Sequence, residues 1–216
     1  MEQEDEIKIS KGFDRDIDFT TMKDKLIECY NKCIDNIDKL DENDKQYVSK
    51  RRILMHRLIY IVICCIQLRS GARIIEAVKA FKLFMKSKDL DKNVTVKLAK
   101  SATKKYKDDG STYVTPTRYR EVKFPTNWID IKYQNDMKFY VEDIENNKLK
   151  KRVLDYLLKY HNCNTHSLRY AYINYMLYVK KKEMGLVAKI IGHSNLNQLV
   201  RYTQNKNAKE VFDMEI

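Results

Sequence analysis

The chain has 216 residues, 44% of them hydrophobic and 33% charged, with a formal net charge of +12 and an isoelectric point near 9.3. That length allows one large domain or two small ones, and the apolar share is enough to build a core. The longest apolar run, Ile59–Ile66, falls far short of the roughly 18 residues of a membrane span, and no signal-peptide pattern opens the chain.

Residues 1–18 are polar and acid-rich and read as a flexible acidic tail. From Phe19 to about Leu40, apolar residues recur at Met22, Leu26, Ile27, Tyr30, Cys33, Ile34 and Ile37, which is helical spacing. Asp41-Glu42-Asn43-Asp44 is a loop and cap signal. Residues 46–69 predict a long helix whose middle is apolar on all sides, so it belongs at the centre of the core. Ser70-Gly71 breaks it, and Arg73–Met85 is the next helix. The pattern then changes: Val94–Leu98 alternates like a strand, Tyr119–Pro125 reads as its antiparallel partner, and Asp108-Asp109-Gly110 marks a turn between them. Residues 137–160 predict one helix, with an apolar stripe at Val153, Leu154, Leu157 and Leu158. Thr165 is placed to cap a helix from His166 to about Lys182. Gly185 loosens the link to a short helix over Leu186–Ile191, and Gly192 suits its C-cap. Ser194 or Asn195 is placed to cap a last helix bearing Tyr202. The expected fold is mostly α with a small antiparallel β-sheet, as one domain over 19–216.

Charge is unevenly spread. Residues 1–49 carry 8 Lys+Arg against 14 Asp+Glu, a net of −6, so the other 167 residues carry +18. The hairpin region 92–123 holds nine Lys+Arg against three acids. A basic body suits a polyanion, because each neutralised phosphate releases condensed counterions; a solvated lysine-rich surface is the plainer reading. The five cysteines show no Cys-x-x-Cys spacing. They speak against a disulfide framework or zinc ribbon and for buried thiols in a reducing, intracellular compartment.

The chemistry-bearing residues come in an ordered set. Gly71-Ala72-Arg73-Ile74-Ile75-Glu76 is followed by His166-Ser167-Leu168-Arg169, then Ile191-Gly192-His193-Ser194, then Tyr202-Thr203. Arg73 and Glu76 are three apart near a helix start, where a carboxylate can lock a guanidinium. His166 and Arg169 share the same spacing, so both are expected to face one way. Two arginines are a natural grip for a scissile phosphate, and fixed cations at the non-bridging oxygens act on the barrier itself. A phenol such as Tyr202 is a weak nucleophile near neutral pH without a nearby base or cations, and histidines exchange protons in that range. Taken singly, each residue has a duller reading: an ion pair, a helix-ending turn, one tyrosine among 15.

In order and spacing, these residues resemble the tyrosine recombinases, the phage-integrase family, over roughly residues 20–210. That family's pattern is a Gly-x-Arg-x-x-Glu box, a β-hairpin lysine, a His-x-x-Arg helix, Leu-Gly-His-Ser, and a tyrosine nine residues beyond that histidine. The resemblance implies a DNA breaking-rejoining catalytic domain. It makes Arg73 and Arg169 the phosphate-gripping arginines in a solvent-open site, His166 and His193 the active-site histidines, and Glu76 the supporting acid. Tyr202 becomes the nucleophile that forms a 3′-phosphotyrosine and frees a 5′-hydroxyl. Lys100 is the first choice for the hairpin lysine, with Lys104 and Lys105 as rivals. Lys97, Lys104, Lys105, Arg118 and Arg120 are expected to contact DNA. The family uses no metal and no high-energy cofactor, acts on double-stranded DNA, and usually assembles as a tetramer there. No membrane is implied, and the expected location is cytoplasmic or nucleoid-associated, inside the host cell if the element is viral. Two departures stand out. Tyr170 follows the second arginine where the family often has a histidine, and fewer than fifty residues precede the long core helix, so no separate DNA-clamping domain is evident. A site-specific recombinase or integrase of a mobile element is the leading expectation. A type IB topoisomerase-like enzyme and a non-catalytic DNA-binding protein are the alternatives.

Overall fold

A computed structural model describes residues 17–99, 104–106, 111–114 and 117–192. The 1–18 tail thus falls almost wholly outside the described residues, as do Lys100, His193, the Ser194/Asn195 cap and Tyr202 with its helix. Seven α-helices and four short strands follow in the order α1 (Phe19–Asp38), α2 (Tyr47–Ser70), α3 (Ile74–Lys86), β1 (Val94–Lys97), β2 (Lys104–Tyr106), β3 (Thr112–Val114), β4 (Tyr119–Val122), α4 (Gln134–Val141), α5 (Asn146–His161), α6 (Thr165–Asn174) and α7 (Met184–Ile191), among the described residues.

Helix α2 is the axle. Met55, Leu58, Ile59 and the whole run Ile61–Leu68 are buried, and the helix packs against α1, α3, α4, α5 and α6. It is long and apolar enough to cross a membrane, but two-thirds of that stretch is buried inside the fold; its all-round apolarity is what a central core helix needs. Helix α1 presents one stripe to it, through Met22, Leu26, Tyr30, Cys33 and Ile37. The Asp18 carboxylate caps α1 by accepting from the Thr21 N–H at 2.7 Å.

Four local expectations need correcting. The helix expected over 137–160 is two helices, α4 and α5, broken over 142–145. Asn164, not Thr165, caps α6: its side-chain oxygen accepts from the Ser167 N–H at 3.0 Å, and helical geometry starts at Thr165. The α-helix expected to run to Lys182 stops at Asn174 and passes into a π-helical turn over Tyr175–Val179, where the Lys180 N–H reaches the Tyr175 carbonyl at 2.9 Å. Gly185 does not loosen a link; it lies inside the first turn of α7. The hairpin expected from the sequence is present and has a second tier. β1 pairs with β4 in antiparallel register, Val94 opposite Val122 and Lys97 opposite Tyr119. Beyond it β2 pairs with β3, Lys104 opposite Val114.

Two glycines end helices in the left-handed region: Gly71 (φ 61°) after α2 and Gly192 (φ 71°) after α7. Both also permit close approach. A Cβ on Gly71 would stand 2.3 Å from Cδ1 of the buried Tyr172 ring, and one on Gly192 would stand 2.6 Å from Cδ2 of Leu98. The ring cannot yield, whereas the tip of a leucine can rotate away. Gly71→Ala is therefore expected to cost about 2–3 kcal/mol and Gly192→Ala clearly less, the left-handed strain being common to both. Urea denaturation midpoints at constant slope will rank the two.

Candidate active site

The site forms where α2 and α7 both end. Beyond Gly71 the chain passes the buried Ala72 and starts α3 from Arg73, which holds extended geometry (φ −68°, ψ 149°). Glu76, three residues on and fully buried, reaches back: one carboxylate oxygen accepts from the Arg73 backbone N–H at 3.1 Å. The other accepts from the Arg73 guanidinium at 3.1 Å and from the Ala99 N–H at 3.0 Å. That last bond fastens the end of β1 to the start of α3. Arg73 keeps 21% of its side chain exposed.

Arg169 is the second arginine, and it is not solvent-open as the resemblance implied. It is 2% exposed. Its guanidinium donates to the Gly71 carbonyl and, at 3.1 Å, to the Ile191 carbonyl. These are end carbonyls of α2 and α7, which lack partners inside their own helices and carry partial negative charge. His166, three residues earlier on α6, is exposed. The pair therefore does not share one environment: the arginine is sunk into the fold while the histidine stands at the surface.

Arg120 is the largest departure from expectation. On sequence it belongs with the hairpin cations that reach DNA. Instead it is 8% exposed, because alternation along β4 puts it on the inward face with Val122 while Tyr119 and Glu121 face out. Its guanidinium donates to the Ser70 carbonyl at 2.6 Å and to the Ile191 carbonyl at 3.4 Å, and lies 3.8 Å from Glu76. Burial pushes its pKa below the usual guanidinium value, and Glu76 opposes that shift. Lys97 and Arg118 are exposed. Lys104 and Lys105 lie on β2, the outer tier of the hairpin.

Gln67 was not anticipated at all. It is buried in the apolar stretch of α2, and its amide donates to the Ala72 carbonyl at 3.1 Å and the Thr165 carbonyl at 2.9 Å. It thereby pins the Arg73 turn to the first turn of α6. A polar residue inside a run of eleven otherwise apolar or buried positions was the available signal. The structure thus brings together the Gly71–Glu76 box, the helix of His166 and Arg169, and the Ile191-Gly192 turn. His193 follows that turn directly in sequence and Lys100 follows Ala99, but both lie outside the described residues, as does Tyr202.

What this describes is a mostly helical protein with a buried arginine–carboxylate cluster at the foot of a basic β-hairpin. Comparison with known proteins supplies the family. A protein named "Putative integrase V10" from Sputnik virophage is 42% identical over 216 residues, covering 97% of this chain and 92% of that protein. "Putative integrase ORF241" of Acidianus two-tailed virus is 29% identical over 204 residues, covering 94% and 69%. An uncharacterized protein of Methanocaldococcus jannaschii is 30% identical over 192 residues, covering 80% and 82%. The chain belongs to the family of the virophage protein. No family model and no solved structure matches it.

The contacts rank the arginines. Arg169→Ala strips a charged donor from two buried helix-end carbonyls and should destabilise the fold by about 3 kcal/mol. Arg73→Ala should cost only about 1–2 kcal/mol, since Glu76 keeps Arg120 and the Ala99 N–H. Arg120→Ala should behave like Arg169→Ala, while Lys97→Ala leaves stability within about 0.5 kcal/mol of the parent. Chemical denaturation of the four variants measures this order directly.

Proposed function

We propose that this protein is a site-specific DNA recombinase of the tyrosine type that integrates the genome of a mobile element. The observation that carries the reading is the meeting of three separated motifs on one pair of helix ends, held by Arg169 and Arg120. The viral relatives named as integrases support the integrative role. A groove of about 330 Å³ between α3 and β1, lined by Lys79, Lys82, Lys86 and Lys97, supports DNA as the substrate.

In this reading Tyr202 attacks a backbone phosphorus. The 3′-phosphotyrosine bond forms as the bond to the 5′-oxygen breaks, and the 5′-oxygen leaves with a proton. A 5′-hydroxyl from the exchanged strand reverses the step, so no metal or nucleotide cofactor is consumed. Arg73, half engaged by Glu76 and partly exposed, faces the non-bridging oxygens. Arg169 joins it from beneath and fixes the two turns that lead to Arg73 and His193. His166, exposed at the first turn of α6, takes the tyrosine proton. Lys100 of the hairpin, or Lys104 or Lys105, protonates the leaving oxygen. The domain over 19–216 acts as the catalytic unit, inside the cell, and works as a tetramer on DNA.

A nicked suicide duplex carrying the element's own junction sequence will trap a covalent adduct with the wild-type protein and none with Tyr202→Phe. An adduct that persists in the variant would reject Tyr202 as nucleophile. Arg73→Ala should lower cleavage by about a hundredfold or more, the scale of losing one fixed transition-state contact, in protein that still folds. Relaxation of supercoiled plasmid lacking the junction would instead favour a topoisomerase.

A further inference from the structure

A second basic cavity lies behind the site, and the function above does not use it. It is a cleft of about 570 Å³ between the first turn of α1, the last turn of α2, strand β4 and the π-helical turn after α6. Lys23, Arg69, Arg120, Lys123 and Lys180 line it against a single carboxylate, Glu121, which already accepts from the Asn93 side chain at 2.9 Å. Trp128, Tyr172 and Tyr175 supply flat apolar wall.

Two features mark it as built for an anion rather than merely basic. Arg120, more than nine-tenths buried, uses both terminal nitrogens on Ser70, Ile191 and Glu76, while its Nε has no partner among the described residues. The Nε of Arg69 is likewise buried without a partner among the described residues, its guanidinium lying 5.5 Å from the Trp128 ring centre. Buried donors are normally satisfied, and the exceptions call for an explanation. Asp24 lies 3.3 Å from Lys23 and Glu76 lies 3.8 Å from Arg120, which with Glu121 leaves five cations against three carboxylates, an excess that an entering anion would neutralise. The volume falls within the roughly 300–1,000 Å³ typical of small-ligand sites. Cations beside aromatic rings suit an anionic group carried on a flat ring.

We infer that this cleft binds a nucleotide phosphate, at a position separate from the scissile one, with Lys23 and Lys180 as its outer cations. The assignment rests on the DNA-processing reading only for its source, a strand of DNA as against a free nucleotide. Arg120 lines the cleft while its terminal nitrogens hold Ser70, Ile191 and Glu76, so an occupied cleft would bear on the cluster that holds Arg73.

The protein carries its own reporter, since Trp128 is its one tryptophan. Emission is followed at low salt while the full-length protein is titrated with a short oligothymidylate, with thymidine monophosphate, and with polyglutamate. Saturable quenching by the oligothymidylate is expected. The double variant Lys23→Ala/Lys180→Ala, whose lysines touch neither Glu76 nor the helix-end carbonyls, should weaken it about tenfold or more and lower the salt slope by roughly one to two. Equal affinity for the monophosphate would assign a free nucleotide; a marked preference for the strand would assign DNA. Unchanged Trp128 emission, quenching retained in the double variant, or tighter binding of polyglutamate would overturn the proposal. The last result would point to an acidic protein segment. A melt by circular dichroism, with Arg69→Ala as an independent variant, guards against loss of fold. Covalent trapping is scored separately, so a failed cleft and a failed recombinase reading give different results.

Discussion

Two guanidiniums seated on the carbonyl ends of two helices organise this molecule. Arg169 bridges Gly71 at the end of α2 to Ile191 at the end of α7, and Arg120 bridges Ser70 to the same Ile191. A helix end buried without partners is costly, and a bare buried guanidinium is costlier. Joined, each satisfies the other, and the union draws together helix ends 120 and 121 residues apart in the chain. Glu76 is the counterweight. Fully buried, it is tolerable there only because Arg73, Arg120 and the Ala99 N–H all converge on it. Remove the cluster and α2 and α7 have no reason to end at the same point.

The glycines belong to the same device. A left-handed residue after each helix turns the chain away sharply, leaving the last carbonyls uncovered for an arginine to reach. Gly71 also lets the Tyr172 ring lie flush against the turn, and Gly192 does the same for Leu98. This explains physically why glycine boxes and arginine boxes travel together in the sequence: each glycine exposes the acceptors that an arginine from elsewhere then claims. Arg73, Arg169 and the approach to His193 thus take their positions from one set of bonds rather than from three independent local structures.

Most of this framework can be read from the letters, for definite reasons. Long amphipathic or all-apolar stretches such as α1 and α2 carry enough periodic signal to override local noise, and the two C-cap glycines are local rules that tertiary context leaves intact. What escaped depends on context. The break between α4 and α5 has no proline or glycine to announce it, and Glu145 starts α5 without a side-chain cap bond. The π-helical turn hides because Tyr175, Met176 and Leu177 keep an apolar character that a continuing α-helix would share. Asn164 and Thr165 are both good cap residues, and only geometry decides between them. Arg120 is different, because its signal was present. Period-two alternation puts it on the face of Val122 and Phe124, whereas its charge alone points to the surface.

The electrostatics of the cluster follow from the same contacts. Counting described residues, Arg73, Arg120 and Arg169 bring three positive charges and Glu76 one negative. The ends of α2 and α7 add about half a negative charge each. The balance is close to one positive charge, which in the reading proposed above a single phosphodiester would neutralise. Burial lowers the pKa of Arg120, and Glu76 opposes that shift. In the recombinase reading proposed above, the burial of Arg169 would keep that cation in place, and fixed cations that need not reorganise stabilise developing phosphoryl charge more effectively than mobile ones.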